Sequence, residues 1–210
     1  GVGATHPGIA AQRAFEDLTR LWDSQQQLDQ QATLLTQRLA HAQQQRENLI
    51  QSGLHTKTEL TTAEQTLAVT KQLLERQRIA RSESIEELST HPQDDQPCPV
   101  CGSHDHPYHQ PEVLLQSLGR HDENEEANAQ KAVEALNQKL IELRGDLGGV
   151  NGQIKEFLSQ QEQLTKSQKS SVSNIEAHSL SASLLNQDSD KRSAWLAQQL
   201  GQLSQSITQD

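Results

Sequence analysis

Proline is confined almost entirely to one short segment near the middle of this 210-residue chain. Five of the six prolines lie between residues 92 and 111, and the sixth is Pro7. A proline inside a helix costs about 3 kcal/mol, so the two stretches without it, residues 8–91 and 112–210, are each free to form a long helix. The distribution therefore predicts two helical arms joined by a proline-rich apex.

The composition agrees with long helices rather than with a compact globule. Leu occurs 28 times and Gln 31 times, whereas aromatic residues make up only 2% of the chain. Leu and Gln favour helices, while the scarce β-branched and aromatic residues favour strands and fill large cores. An all-β fold and an ordinary α/β enzyme domain are therefore excluded. What is left is a disordered polar chain, or helices that bury a narrow apolar seam.

A heptad repeat runs through both arms, and its a and d positions define the seam. In the first arm, one register holds from Leu18 (position a) to Leu88 (position a), and thirteen of its 21 seam positions are apolar. In the second arm, nine of ten seam positions are apolar. These ten are Val133, Leu136, Leu140, Leu143, Leu147, Val150, Ile154, Phe157, Gln161 and Leu164. Such 3–4 spacing is typical of a coiled coil; a plain amphipathic helix in a bundle is the alternative interpretation.

Arms of nearly equal length predict that the chain folds back on itself. We therefore expect an all-α fold, a long antiparallel intrachain coiled-coil hairpin, in which facing residue numbers add up to roughly 200. Its segments are a poorly structured N-terminal segment, a first arm, an apex and a second arm, at residues 1–10, 11–90, 91–111 and 112–210. The serine-rich stretch at 165–193 is compatible with a frayed coil or with a joint.

Glycines mark one level of the predicted hairpin. Gly145, Gly148, Gly149 and Gly152 form the only glycine cluster in either arm, and Gly53 falls near the level that would pair with them. Each glycine inside a helix costs about 1 kcal/mol relative to alanine. Weak points on both helices at one level favour a flexible joint. The simpler interpretation is that a long coiled coil tolerates scattered glycines.

Charge and hydropathy limit the possible partners. The formal net charge is −10, which argues against direct binding of nucleic acid by this segment, because phosphate binding needs a basic stripe. No apolar run approaches the ~18 residues of a membrane span, and the first ten residues lack the pattern of a secretory signal. We therefore expect a cytoplasmic protein without a membrane partner.

The apex contains both cysteines of the chain, Cys98 and Cys101, in the spacing C-x-x-C. Two thiolates at this spacing can bind one zinc ion. Pro99 suits the tight turn between them, and Gly102 can take a positive φ just after it. A structural zinc site needs four ligands, so the two cysteines supply half of one.

Three completions of this site are open. Two chains could each donate Cys98 and Cys101 to a shared Cys₄ site. Alternatively, two of the apex histidines could complete a Cys₂His₂ site within one chain, although their spacings are tighter than usual for a zinc finger; these histidines are His91, His104, His106 and His109. Third, the cysteines could be a redox dithiol, but no strand pattern of a thioredoxin-like fold is present. The shared site alone explains why a C-x-x-C lies at the tip of a long hairpin.

The apex resembles the zinc hook of the SbcC family, the long-coil bacterial ATPase subunits that partner the SbcD nuclease. The similarity rests on the run from Gln96 to Ser103, which reads QPCPVCGS, with His106-Pro107 following. The resemblance implies that Cys98 and Cys101 are zinc ligands and that two hooks share one zinc ion, making the chain a zinc-mediated homodimerisation module. The alternative is a coiled-coil spacer whose C-x-x-C binds metal within one chain.

The same resemblance implies a longer protein around this segment. Members of the family carry ATPase half-domains at both chain ends and act on DNA ends together with the SbcD-like nuclease. No G-x-x-x-x-G-K-[ST] phosphate loop occurs in these 210 residues. We therefore expect this segment to be no enzyme by itself, and its contacts with the nuclease and DNA to be made by parts outside it.

Overall fold

The computed structural model describes residues 7–89 and 111–209, and the side chains of residues 7–84 and 123–209. The described chain is helical, with no strand in these ranges, so the all-α prediction is confirmed. The elements are α1 (Pro7–Ser89), α2 (Pro111–Ala177), α3 (Ser181–Leu185), a 3₁₀ turn (Ser189–Lys191) and α4 (Arg192–Gln209).

Both long helices begin at a proline. Pro7 opens α1 and Pro111 opens α2, because the first position of a helix needs no N–H donor and suits the fixed φ of proline. The first helix is described from Pro7 to Ser89 and the second from Pro111 to Ala177.

The predicted seam is the buried face of α2. From residue 131 to residue 177, every buried or half-buried residue falls on the predicted heptad register, and every other residue is exposed. In α1 the same holds from residue 23 to residue 84, with few exceptions. The seam residues Arg46, Gln77 and Ser84 are exposed, and Gln26 and Ile50 are half-buried outside the seam. The heptad interpretation is thus confirmed over the described side chains.

The chain divides into two units, unit 1 (Gly1–Arg46 with Gly149–Asp210) and unit 2 (Glu47–Gly148). In unit 2, the buried side chains include Thr56, Val133 and Leu140, all of them seam positions. The Thr56 hydroxyl donates to the carbonyl oxygen of Ser52 at 2.7 Å, so this fully buried polar group is satisfied within its own helix.

In unit 1, α1 and α2 run antiparallel. Asp29 contacts Gln168 and Arg46 contacts Asn151, so residue numbers rise along one helix as they fall along the other. In both pairs the two numbers add up to about 200, as the predicted antiparallel pairing requires.

The second arm is not one continuous helix. Its first helix ends at Ala177, and α4 begins at Arg192; the short helix α3 and the 3₁₀ turn lie between them, within residues 178–191. Of the two interpretations of the serine-rich stretch, fraying does not describe residues 165–177, which are helical. The irregular part is confined to the C-terminal half of that stretch, and we call residues 178–191 the break.

The glycine cluster lies within continuous helix. A Cβ atom built on Gly53, Gly145, Gly148, Gly149 or Gly152 would meet no atom within 4 Å. Packing therefore does not require glycine at any of these positions, and their main effect is the backbone freedom they give the helix.

We predict that Gly148→Ala together with Gly149→Ala raises the free energy of unfolding by about 1–2 kcal/mol, because alanine is the better helix former and has room at both positions. Hydrogen exchange of the original chain should be fast at residues 145–152 and slower in the double variant. Gly201→Ala in α4 is the matched control, since it has the same open space but should leave exchange at 145–152 unchanged. Equal protection along all of α2 in the original chain would contradict the joint.

Candidate functional site

The residues predicted to bind zinc, Cys98 and Cys101, lie outside the described residues. The same is true of the four apex histidines, His91, His104, His106 and His109. The structure describes the helices on either side, α1 up to Ser89 and α2 from Pro111 onwards. The zinc site therefore stays a prediction from the motif, flanked by two helices of the predicted kind.

Elsewhere, within the ranges given above, the structure contains no group of three or more His, Cys, Asp or Glu residues that could hold a metal ion. An open groove of about 430 Å³ runs between α1 and α2 in unit 1. Its lining includes the seam leucines Leu28, Leu35 and Leu164, and Arg38 is its one charged residue. The groove thus borders the seam and carries no pair of acidic or basic groups.

The best-buried part of unit 1 is a cluster where the ends of both arms meet. Its buried members are Leu18, Trp22, Ile175, Leu184 and Leu196, and Phe15, Leu21, Leu180 and Trp195 pack against them. We call this set the aromatic cluster. It joins α1 to α2, α3 and α4, so it covers the break with apolar side chains from a distant part of the sequence.

Trp22 occupies a central place in the aromatic cluster. Its side chain is only 5% exposed, and its indole Nε1 donates to the Ser193 hydroxyl oxygen at 2.9 Å. The Arg192 guanidinium lies 5.3 Å from the centre of the Trp22 ring, within the range of a cation–π interaction. Phe15 and Trp195 meet edge to face, with ring centroids 5.7 Å apart.

The break is held by backbone and side-chain hydrogen bonds. Arg192 donates from Nε to the carbonyl oxygen of Gln187 at 3.1 Å and from a terminal nitrogen to that of Leu185 at 3.4 Å. His178 accepts at Nδ1 from the Leu180 amide at 3.1 Å. Arg192 thus links Trp22 on α1 to the carbonyl groups of Leu185, the last residue of α3, and of Gln187 just after it.

A polar layer interrupts the seam just after the aromatic cluster along α1. Gln25 is a buried seam residue whose Nε2 donates to Asp29 Oδ1 at 3.1 Å. Gln168 of α2 donates to the same carboxylate oxygen at 2.9 Å. The Gln25 Oε1 atom is buried and accepts no hydrogen bond from the described residues. A buried acceptor without a donor costs about 1–3 kcal/mol, so this layer is weaker than a layer of leucines.

Arg46 makes a second polar contact between the two helices of unit 1. Although it occupies a seam position, its side chain reaches outwards, and Nε donates to Asn151 Oδ1 at 2.9 Å. Long basic side chains commonly cover apolar surface with their stems and keep the charge in water. Arg46 can therefore occupy the seam without burying its charge.

The aromatic cluster was not predicted from the sequence, although a signal was available. Of the five aromatic residues of the chain, three belong to the cluster: Phe15, Trp22 and Trp195. They lie early in the first arm and late in the second, at positions that the predicted hairpin brings together. Aromatic side chains dominate the cores they join. Their position, rather than their small number, indicates where the arms pack most tightly.

The described helices include none with a stretch long and apolar enough to cross a bilayer. No protein-family model matches this chain, and no solved structure matches it significantly. A curated relative from Pseudomonas aeruginosa strain PAO1, the SbcC component of the nuclease SbcCD, is 37% identical to it over 186 residues. That alignment covers 86% of this chain but 15% of the relative, so the chain spans only a small part of the length of the protein it matches.

Proposed function

We propose that this chain is the coiled-coil tip segment of an SbcC-like nuclease subunit and that it dimerises by sharing one zinc ion between two copies. The observation that carries the proposal is the 37% identity to the SbcC component of a nuclease, which extends over 86% of the chain. A similarity of this length reaches far beyond the short cysteine motif. It supports treating the helical arms and the apex as parts of one related segment.

The arrangement of the helices supports the hairpin that the proposal needs. The arms run antiparallel in unit 1, and α1 and α2 end and begin next to the 90–110 segment. In the proposed hairpin, this segment joins the two arms at the tip. Cys98 and Cys101 then lie where a second copy can reach them.

The donor set fits zinc. Cys98 and Cys101 provide two soft thiolates, and a second copy supplies the other two of a tetrahedral Cys₄ site. When bound, the ion supplies four metal–sulfur bonds that join the two chains. Thiols must lose their protons to bind, so association should weaken as the pH falls.

The remaining parts of the proposed function belong to a longer protein. An SbcD-like nuclease and DNA would bind outside this segment, whose own net charge of −10 disfavours phosphate contacts. The tip would then join two long-coil subunits at a distance from the nuclease. Its role would be tethering rather than catalysis.

Zinc content and molar mass, measured on one sample, test this function. We expect one zinc ion per two chains and a molar mass of about twice 23.3 kDa, falling to that of one chain after treatment with a chelator. One zinc ion in each monomer would instead favour the spacer with an intrachain site. Monomers without zinc would contradict both.

A further inference from the structure

We infer that the break and the aromatic cluster form a register clamp, which holds α1 and α2 of unit 1 in a single axial alignment. The inference does not depend on zinc. It concerns what prevents two heptad-patterned helices from sliding along each other.

The seam by itself discriminates poorly between alignments. A slide by one heptad moves one helix about 10 Å along the other and brings seam residues opposite seam residues again. Around the polar layer, for example, Gln161 or Ile175 would take the place of Gln168. The repeat that makes the seam easy to recognise therefore also leaves its alignment weakly specified.

The aromatic cluster does not repeat. The hydrogen bond from Trp22 to Ser193 and the edge-to-face contact of Phe15 with Trp195 involve residues outside the regular seam of α2. A slide of about 10 Å would separate both pairs. It would also withdraw Ile175, the last seam residue before α2 ends at Ala177, from the place where it packs with Trp22.

The two polar contacts between the helices agree with this one alignment. A slide in one direction would bring Arg46 level with Arg144 in place of Asn151, and a slide in the other direction would bring it level with Leu158. Both alternatives lose the hydrogen bond, and the first adds repulsion between like charges. Exposed polar contacts contribute little, so we assign the greater share of the clamp to the buried aromatic cluster.

A clamp of this kind has a mechanical consequence. Because the helices cannot slide in unit 1, a pull along α1 passes to α2 without a change of alignment. The cluster would therefore act as a fixed reference point for the pairing of α1 with α2 in unit 1.

Disulfide formation in the full chain measures the alignment. Interpolation between the two polar contacts places Leu39 level with residue 158, next to the seam residue Phe157. A slide of one heptad would instead bring it next to the seam residue Val150 or Leu164. The three test proteins combine Leu39→Cys with Phe157→Cys, Val150→Cys or Leu164→Cys. Because a disulfide tolerates no more than about 7 Å between Cα atoms, each pair reports one alignment. Peptide mass spectrometry identifies each bond separately from any bond made by Cys98 or Cys101.

In the otherwise unchanged chain, only the pair of residues 39 and 157 should form. Adding Trp22→Ala should raise the yield of the other two pairs by at least about tenfold, which corresponds to 1.4 kcal/mol. Phe15→Ala should act in the same direction and is the milder variant to use if Trp22→Ala loses its helical circular dichroism. Leu34→Ala, 53% exposed on the same helix, is the control and should leave the pattern unchanged. If Trp22→Ala or Phe15→Ala stays helical and still allows only the 39–157 disulfide to form, the inference is wrong.

Discussion

Replacing Cys98 and Cys101 together with serine is expected to abolish zinc binding and leave the chain monomeric. Serine keeps the size of the side chain but offers no thiolate, the group proposed to bind zinc. The dimer should be undetectable at protein concentrations on the order of 100 μM. Any association of the variant that is left would then contribute at most about 5 kcal/mol of free energy. Sedimentation of the purified variant together with zinc analysis measures both effects.

Histidine variants distinguish the two metal sites that the motif allows. His104→Ala and His106→Ala should retain zinc and the dimer if two chains share a Cys₄ site. Loss of zinc in either variant would favour a Cys₂His₂ site within one chain. Unchanged helical circular dichroism is the control for folding, since the seam lies in α1 and α2. A zinc-dependent dimer that survives the double serine change would exclude the cysteines as the link.

Trp22→Ala is expected to destabilise unit 1 by about 3–5 kcal/mol, the usual cost of removing a buried tryptophan. The change deletes apolar contacts with the aromatic cluster, the hydrogen bond to Ser193 and the cation–π contact with Arg192. In this variant Trp195 is the only tryptophan left, so a red shift of its fluorescence emission would report exposure of the cluster. Denaturant titration followed by this emission gives the loss of stability.

Hydrogen exchange locates the same loss. Protection should fall at residues 178–196, because the break depends on the cluster, and should change little at residues 131–145 of unit 2. Ser193→Ala removes the hydrogen bond alone and should cost only about 1 kcal/mol. Leu34→Ala, on an exposed part of α1, should stay within about 0.5 kcal/mol of the original chain. A Trp22→Ala effect no larger than these two would mean that the aromatic cluster is not the main core of unit 1.

The helical arms could be predicted because their signals are local and repeated. The prolines rule out a continuous helix in only one segment near the middle of the chain. The heptad register identified the buried face of α2 residue by residue. The seam residues of α1 that are exposed, Arg46, Gln77 and Ser84, are polar. Arg46 reaches Asn151 at the surface instead of filling the seam, which spacing alone does not indicate.

The break could not be predicted in the same way. Residues 178–191 contain neither proline nor glycine, so no single residue there forbids a continuous helix. The irregular path is stabilised by Leu184 and by Leu196, which are buried with Leu18 and Trp22 of α1. Those partners lie more than 150 residues away in the chain, as the separation of 171 between Trp22 and Ser193 illustrates.

The sequence by itself determined the two arms, the seam and the one C-x-x-C of the chain, because proline, heptad spacing and cysteine spacing act over a few residues. Tertiary structure alone decided where the second arm breaks and how α1 is aligned with α2 in unit 1. A repeat of seven residues allows several alignments of similar energy. Only the non-repeating contacts of Phe15, Trp22, Ser193 and Trp195, made between the two ends of the chain, select one of them.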